Sequence, residues 1–147
     1  MNYFRKNELK IINKFLNNGY YIGKVEDKKS LKFITQLIKK NTIKKKESKK
    51  FTLNSFHKFK KIEDLNKTRI KILNNLNQNK LIRNKYFNLA RNHLYTLVGN
   101  ELMMQKRLNL SIQLPKDSSS LLPIHSDVWS GDSPYEINLW VPLVDCY

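Results

Sequence analysis

Arg107-Leu108-Asn109-Leu110-Ser111-Ile112-Gln113-Leu114 alternates without a break. Leu108, Leu110, Ile112 and Leu114 fall on one face of an extended chain. Arg107, Asn109, Ser111 and Gln113 fall on the other. Successive side chains of extended backbone point to opposite faces, so this pattern predicts a half-buried β-strand. The same texture continues to the C-terminus. Residues 115–120 read as a polar loop, 121–127 as a second extended segment, 129–134 as a Gly/Ser/Pro loop, and 137–144 as a third strand.

Upstream the period changes to that of helices. Residues Lys6 to Asn18 show helical spacing, with Leu9, Ile12, Phe15 and Leu16 on one face, and Asn17-Asn18-Gly19 is a stop signal, since Gly and Asn tolerate the left-handed C-cap conformation. Tyr20 to Val25 is a short aromatic and β-branched run, which predicts a strand. Ser30 is a candidate N-cap for a second helix carrying Leu31, Ile34, Leu37 and Ile38. Residues 41–50 are lysine-dense and read as an exposed loop, while residues 51–61 fit neither period. Two longer helices are expected over 62–76 and 81–97, separated near Asn77-Gln78-Asn79 and closed by Gly99-Asn100. Helices first and strands later predict an α+β fold. We read a single domain over residues 1–147, mainly helical over 1–102 and β-rich over 103–147.

A chain of 147 residues, 40% hydrophobic and 27% charged, is long enough for a buried core. No apolar run approaches the roughly 18 residues of a membrane span, and no signal-peptide h-region follows Met1. Cys146 is the single cysteine, which excludes an internal disulfide. These features predict a cytoplasmic protein. The net charge of +16 invites a nucleic-acid reading. We set it second: lysine heavily outnumbers arginine, whereas base readout favours arginine, and a Lys/Asn/Ile-rich composition follows from AT-rich codons alone.

The candidate chemistry lies at His125-Ser126-Asp127. In an extended segment, residues i and i+2 share a face, so an imidazole and a carboxylate can converge on one divalent metal. The preceding strand could line a cavity with Asn109, Ser111 and Gln113. The following loop carries Trp129, which reads as pocket or core, and Asp132 and Glu136, each able to hydrogen-bond a polar substrate or to cap the loop. Trp140, between Leu139 and Val141, reads as core. His93, at helical spacing from Leu89 and Leu97, reads as a partly buried helix residue. His57 reads as solvated, and Cys146 has no neighbouring signal for activation.

The run from His125-Ser126-Asp127-Val128-Trp129 to Leu139-Trp140-Val141-Pro142-Leu143-Val144-Asp145 resembles the first half of the core of Fe(II)/2-oxoglutarate-dependent dioxygenases of the phytanoyl-CoA dioxygenase type. It is nearest to the branch found in bacterial surface-carbohydrate biosynthesis clusters. Residues 15–22 are similar to that family's N-terminal entry. The resemblance implies a double-stranded β-helix, or jelly roll, incomplete in this chain, with the N-terminal helices packed outside it. It implies that His125 and Asp127 are two ligands of a 2-His-1-carboxylate Fe(II) site, with 2-oxoglutarate as co-substrate. It further implies oxidation of a C–H bond in a small-molecule substrate, a sugar or sugar-nucleotide intermediate of surface-polysaccharide synthesis. Asn109, Ser111, Gln113 and Trp129 are the expected co-substrate or substrate contacts. The family's distal His and its 2-oxoglutarate-binding basic residue would lie past Tyr147, in a C-terminal portion or a complementing chain. The alternatives are a basic module for nucleic acid or another anionic partner, or a non-catalytic remnant.

Overall fold

In the computed structural model, residues 3–43, 50–118 and 121–146 are described. Among the described residues five α-helices carry the fold: α1 (Lys6–Asn18), α2 (Lys28–Thr42), α3 (Leu65–Gln78), α4 (Ile82–Phe87) and α5 (Arg91–Val98). Short 3-10 turns stand at Phe56–Lys58 and Asp127–Ser130. Among the described residues there is no strand and no sheet. The α+β expectation, with its jelly roll, is therefore overturned: the described fold is helical, with extended segments that form no ladder.

The chain divides into two compact units. The first comprises residues up to Ile34 together with Leu81–Lys106. Here α1 begins and ends as its sequence predicts. Glu8 at the third helical position turns back to accept from the Arg5 amide (2.7 Å), and Gly19 adopts φ +75° while donating to the Phe15 carbonyl. Ile11, Ile12 and Phe15 are half-buried, but Leu16 is exposed. A helix of 3.6 residues per turn cannot place every member of a wide apolar stripe inward. α1 packs on α5.

The predicted helix over 81–97 is broken. Leu89 and Ala90 are buried between α4 and α5, and the cause is a residue far away in sequence. The Leu89 carbonyl accepts from the Glu26 amide (2.9 Å). The Glu26 carboxylate in turn accepts from the amides of Asn92 and His93 and from the Asn92 side chain. It thus satisfies N–H groups that every helix start leaves open. The segment 20–25, expected as a strand, is extended but pairs with no other strand.

Asp27 starts α2. Its Oδ1 accepts from the Lys29 and Ser30 amides, and its Oδ2 accepts from the Ser30 hydroxyl (2.6 Å). Ser30 is thus not the cap but a fully buried residue one turn in. Its buried hydroxyl is satisfied by the residue that outcompeted it: a carboxylate has two acceptor oxygens and a hydroxyl one.

The second unit comprises Thr35–Lys80 and Arg107–Tyr147. Leu65, Thr68, Ile72 and Leu76 form the buried stripe of α3. Phe51 packs edge-on against Phe59, with ring centroids 5.4 Å apart, and tilted against Phe56. This gives residues 51–61, which carry no clear period, their structural role as an aromatic cluster. Thr52 and Ser55 hydrogen-bond reciprocally, each amide donating to the other's hydroxyl, and hold the turn that folds the cluster.

The three predicted C-terminal strands (107–114, 121–127, 137–144) do not form, yet two of them keep their period. Burial alternates residue by residue over 108–114 and over 137–143. Alternation specifies an extended chain lying on a surface; a strand also needs a second extended chain at ladder spacing, about 4.8 Å away. Here side chains meet some of the exposed backbone groups instead. The Asn77 amide serves Leu108 and the Asn54 amide serves Asp145. Trp140 falls on the outer phase and is 71% exposed, not core. Six residues of the expected 41–50 loop, 44–49, lie outside the described residues, and Asn41 and Thr42 belong to α2.

Candidate metal-binding site

Residues 123–138 of the second unit assemble the candidate site. Ser126 is extended (φ −118°, ψ 136°), which puts His125 and Asp127 on the same side. Asp127 then opens a 3-10 turn. Gly131 ends it at φ +96°, a conformation in which a side chain would be strained. The Asp127 carbonyl accepts from the Asp132 amide (3.3 Å), and the Trp129 amide donates to Ser126 (2.9 Å). The turn is thus held by its own backbone.

His125 Nε2 lies 3.7 Å from Asp127 Oδ1. That is too long for a hydrogen bond. Each side chain is fixed from behind. His125 Nδ1 is 2.7 Å from the Pro123 carbonyl, an acceptor only, so Nδ1 carries a hydrogen. In the neutral ring this leaves the Nε2 lone pair facing Asp127. Asp127 Oδ2 accepts from Asn138 Nδ2 at 2.7 Å. His125 Nε2 and Asp127 Oδ1 therefore face each other across the gap. These are the two residues that could hold a cation. The His125 and Asp127 side chains are 43% and 50% exposed, so both are open to solvent.

The other expected contacts are placed differently. Asn109, Ser111 and Gln113 are all exposed, on the outer phase of their segment, and no described contact joins them to the pair. Trp129 follows Asp127 in the same turn and is 78% exposed. Among the described residues, no third His, Cys, Asp or Glu joins His125 and Asp127. His93 is half-buried in the first unit, 5.3 Å edge-on from Tyr21 and 3.6 Å from Glu26. His57 is exposed, as is Cys146. Among the described residues no helix is long and apolar enough to cross a membrane.

Asn138 and the Pro123 carbonyl are participants that motif reading missed. A signal for Asn138 was present: in a segment of period two, it occupies the phase opposite Ile137 and Leu139. Pro123 contributes only backbone, which no side-chain motif reports.

No protein-family model, no curated protein and no solved structure matches the chain.

Proposed function

We propose that this chain contributes part of a non-haem Fe(II) site serving 2-oxoglutarate-dependent C–H oxidation, with His125 and Asp127 as two of the metal's protein ligands. The observation that carries the reading is that His125 Nε2 and Asp127 Oδ1 face each other 3.7 Å apart, each side chain oriented by a hydrogen bond on its far side. An imidazole whose second nitrogen donates to a carbonyl is the usual arrangement of a metal-binding histidine, because it fixes the tautomer and raises ligand basicity. A His and a carboxylate with open positions are the donors that Fe(II) oxygenases use.

Charge supports it as well. The sequence holds 28 Lys and Arg in all, yet none follows Lys116, whereas Asp117, Asp127, Asp132, Glu136 and Asp145 all do. The stretch bearing the pair is thus locally acidic in a basic chain, a balance that favours a cation. When bound, Fe(II) would supply the centre at which oxygen and the co-substrate react. The chain's own share is to hold two ligands in place and to leave room for a chelating 2-oxo acid. The sugar-type substrate rests on the sequence resemblance.

Anaerobic titration with Fe(II), with and without 2-oxoglutarate, tests the reading. Expected are binding that 2-oxoglutarate tightens, loss of binding in His125→Ala and Asp127→Ala, and, once oxygen is admitted to the protein completed by its missing ligands, Fe(II)-dependent formation of succinate and carbon dioxide that disappears in both variants. Equal Fe(II) affinity in all three proteins overturns it.

A second reading, binding of an anionic polymer, draws on the concentration of cations before residue 117. It predicts binding to nucleic acid that weakens steeply with salt. Salt-independent binding, or none, excludes it.

A further inference from the structure

We propose that Asn138 is a positioning residue of the metal site, holding Asp127 as a one-oxygen ligand with Oδ1 turned to His125. The inference rests on the metal-site reading above and adds a residue to it. A free aspartate rotates about its terminal torsion, which is broad and two-fold, so either oxygen or both can face an ion. Here the Asn138 amide, 2.7 Å from Oδ2, removes that freedom. The oxygen left over is the one that faces Nε2 of His125.

The placement of Asn138 is itself determined. Ile137, Leu139, Val141 and Leu143 are half-buried and Asn138, Trp140 and Pro142 exposed, so the apolar phase of the segment anchors it and sends Asn138 outward. A one-residue slip would bring Ile137 or Leu139 to Asp127 instead. The chemistry of the residue also matters. A lysine or arginine could make the same hydrogen bond but would place a positive charge beside the metal. An amide donates without charge and does not titrate. It thus orients the carboxylate and leaves its full charge for the cation. The two ligands are then braced in different ways: His125 by a backbone carbonyl, which substitution cannot remove, and Asp127 by a side chain, which substitution can.

The test is Co(II) binding by the full chain, read by calorimetry and by the visible absorption of the bound ion. Asn138→Leu removes the donor at similar size and is expected to weaken binding by about 10–100-fold and to change the Co(II) absorption, since Asp127 is freed to bind through both oxygens. Asn138→Gln keeps an amide donor and is expected to recover part of the affinity and the unaltered spectrum. Far-UV circular dichroism checks that each variant is folded. Affinity and spectrum unchanged in Asn138→Leu, while His125→Ala abolishes binding, would overturn the role of Asn138 and leave the metal site standing. Failure of the unaltered chain to bind Co(II) overturns both.

Discussion

The side chain of Asn77 makes both backbone hydrogen bonds of Leu108. Its Oδ1 accepts from the Leu108 amide at 2.8 Å, and its Nδ2 donates to the Leu108 carbonyl at 3.1 Å. This is the pattern a neighbouring strand residue would offer, supplied by the last turn of a helix. The same Nδ2 also donates to the Leu73 carbonyl at 2.9 Å, tying the end of α3 to itself. An Asn near a helix end, which local sequence reads as a breaker, here docks an extended segment onto the helix.

Replacing Asn77 by Leu leaves the amide and carbonyl of Leu108 without that partner in a half-buried place. The expected loss is about 1–3 kcal/mol of unfolding free energy, the cost of stranded backbone groups. Asn77→Asp keeps the acceptor for the Leu108 amide but loses the donor, so it falls between Leu and Asn. Urea denaturation of the three proteins gives the order, and an unchanged midpoint in Asn77→Leu would exclude the bond as a stabilising contact.

Glu26→Ala removes the carboxylate that receives the first amides of α5. The backbone bond from residue 26 to the Leu89 carbonyl remains, but α5 loses its cap and frays from its N-terminus. About 1 kcal/mol of stability is expected to be lost, as for other helix caps. Hydrogen exchange locates the change: the amides of Asn92 and His93 lose protection while those of α3 keep theirs.

Acid weakens the start of α2. The hydrogen bonds from the Ser30 hydroxyl and the Ser30 amide, with a smaller contribution from the Lys29 amide, hold the Asp27 carboxyl below its usual 3.8. A carboxyl group depressed in the folded state stabilises the fold at pH above its unfolded value, and that contribution fades as pH falls through the folded value. Thermal unfolding followed from pH 7 downward is expected to show a steeper acid loss in the natural protein than in Asp27→Asn, which keeps an acceptor but no charge. Parallel curves would remove Asp27 from the account.

Ile72 is wholly buried in α3 while Leu16 is exposed on α1. Ile72→Ala is expected to cost about 2–5 kcal/mol, the transfer term plus the cavity it leaves. Leu16→Ala should stay within about 0.5 kcal/mol. Similar melting shifts for the two would contradict the packing described here.

Much of the helical framework was legible in advance. The helical period over Leu9, Ile12 and Phe15, closed by Gly19, locates α1 from one end to the other, and α2 and α3 follow the same logic within a few residues. Local signals sufficed because a helix satisfies its own backbone. The break at Leu89–Ala90 was not legible, because its cause is Glu26. The cap of α2 was misassigned because Asp27 and Ser30 are both good N-caps, and the carboxylate, with two acceptor oxygens, took the role.

The candidate site divides the same way. That His125 and Asp127 can share a face follows from their spacing alone, as does the outward phase of Asn138. The orientation of each donor does not. It required the Pro123 carbonyl and the Asn138 amide, and the latter lies eleven positions beyond Asp127.

The residues by themselves determined most of where the backbone coils and where it extends, since both follow period and local sterics. Whether an extended stretch becomes a strand was decided only by the tertiary structure. A strand's hydrogen bonds belong to two chains at once. Beside Leu108 the second chain is the side chain of Asn77, so the alternation of residues 108–114 survives as burial and not as a sheet.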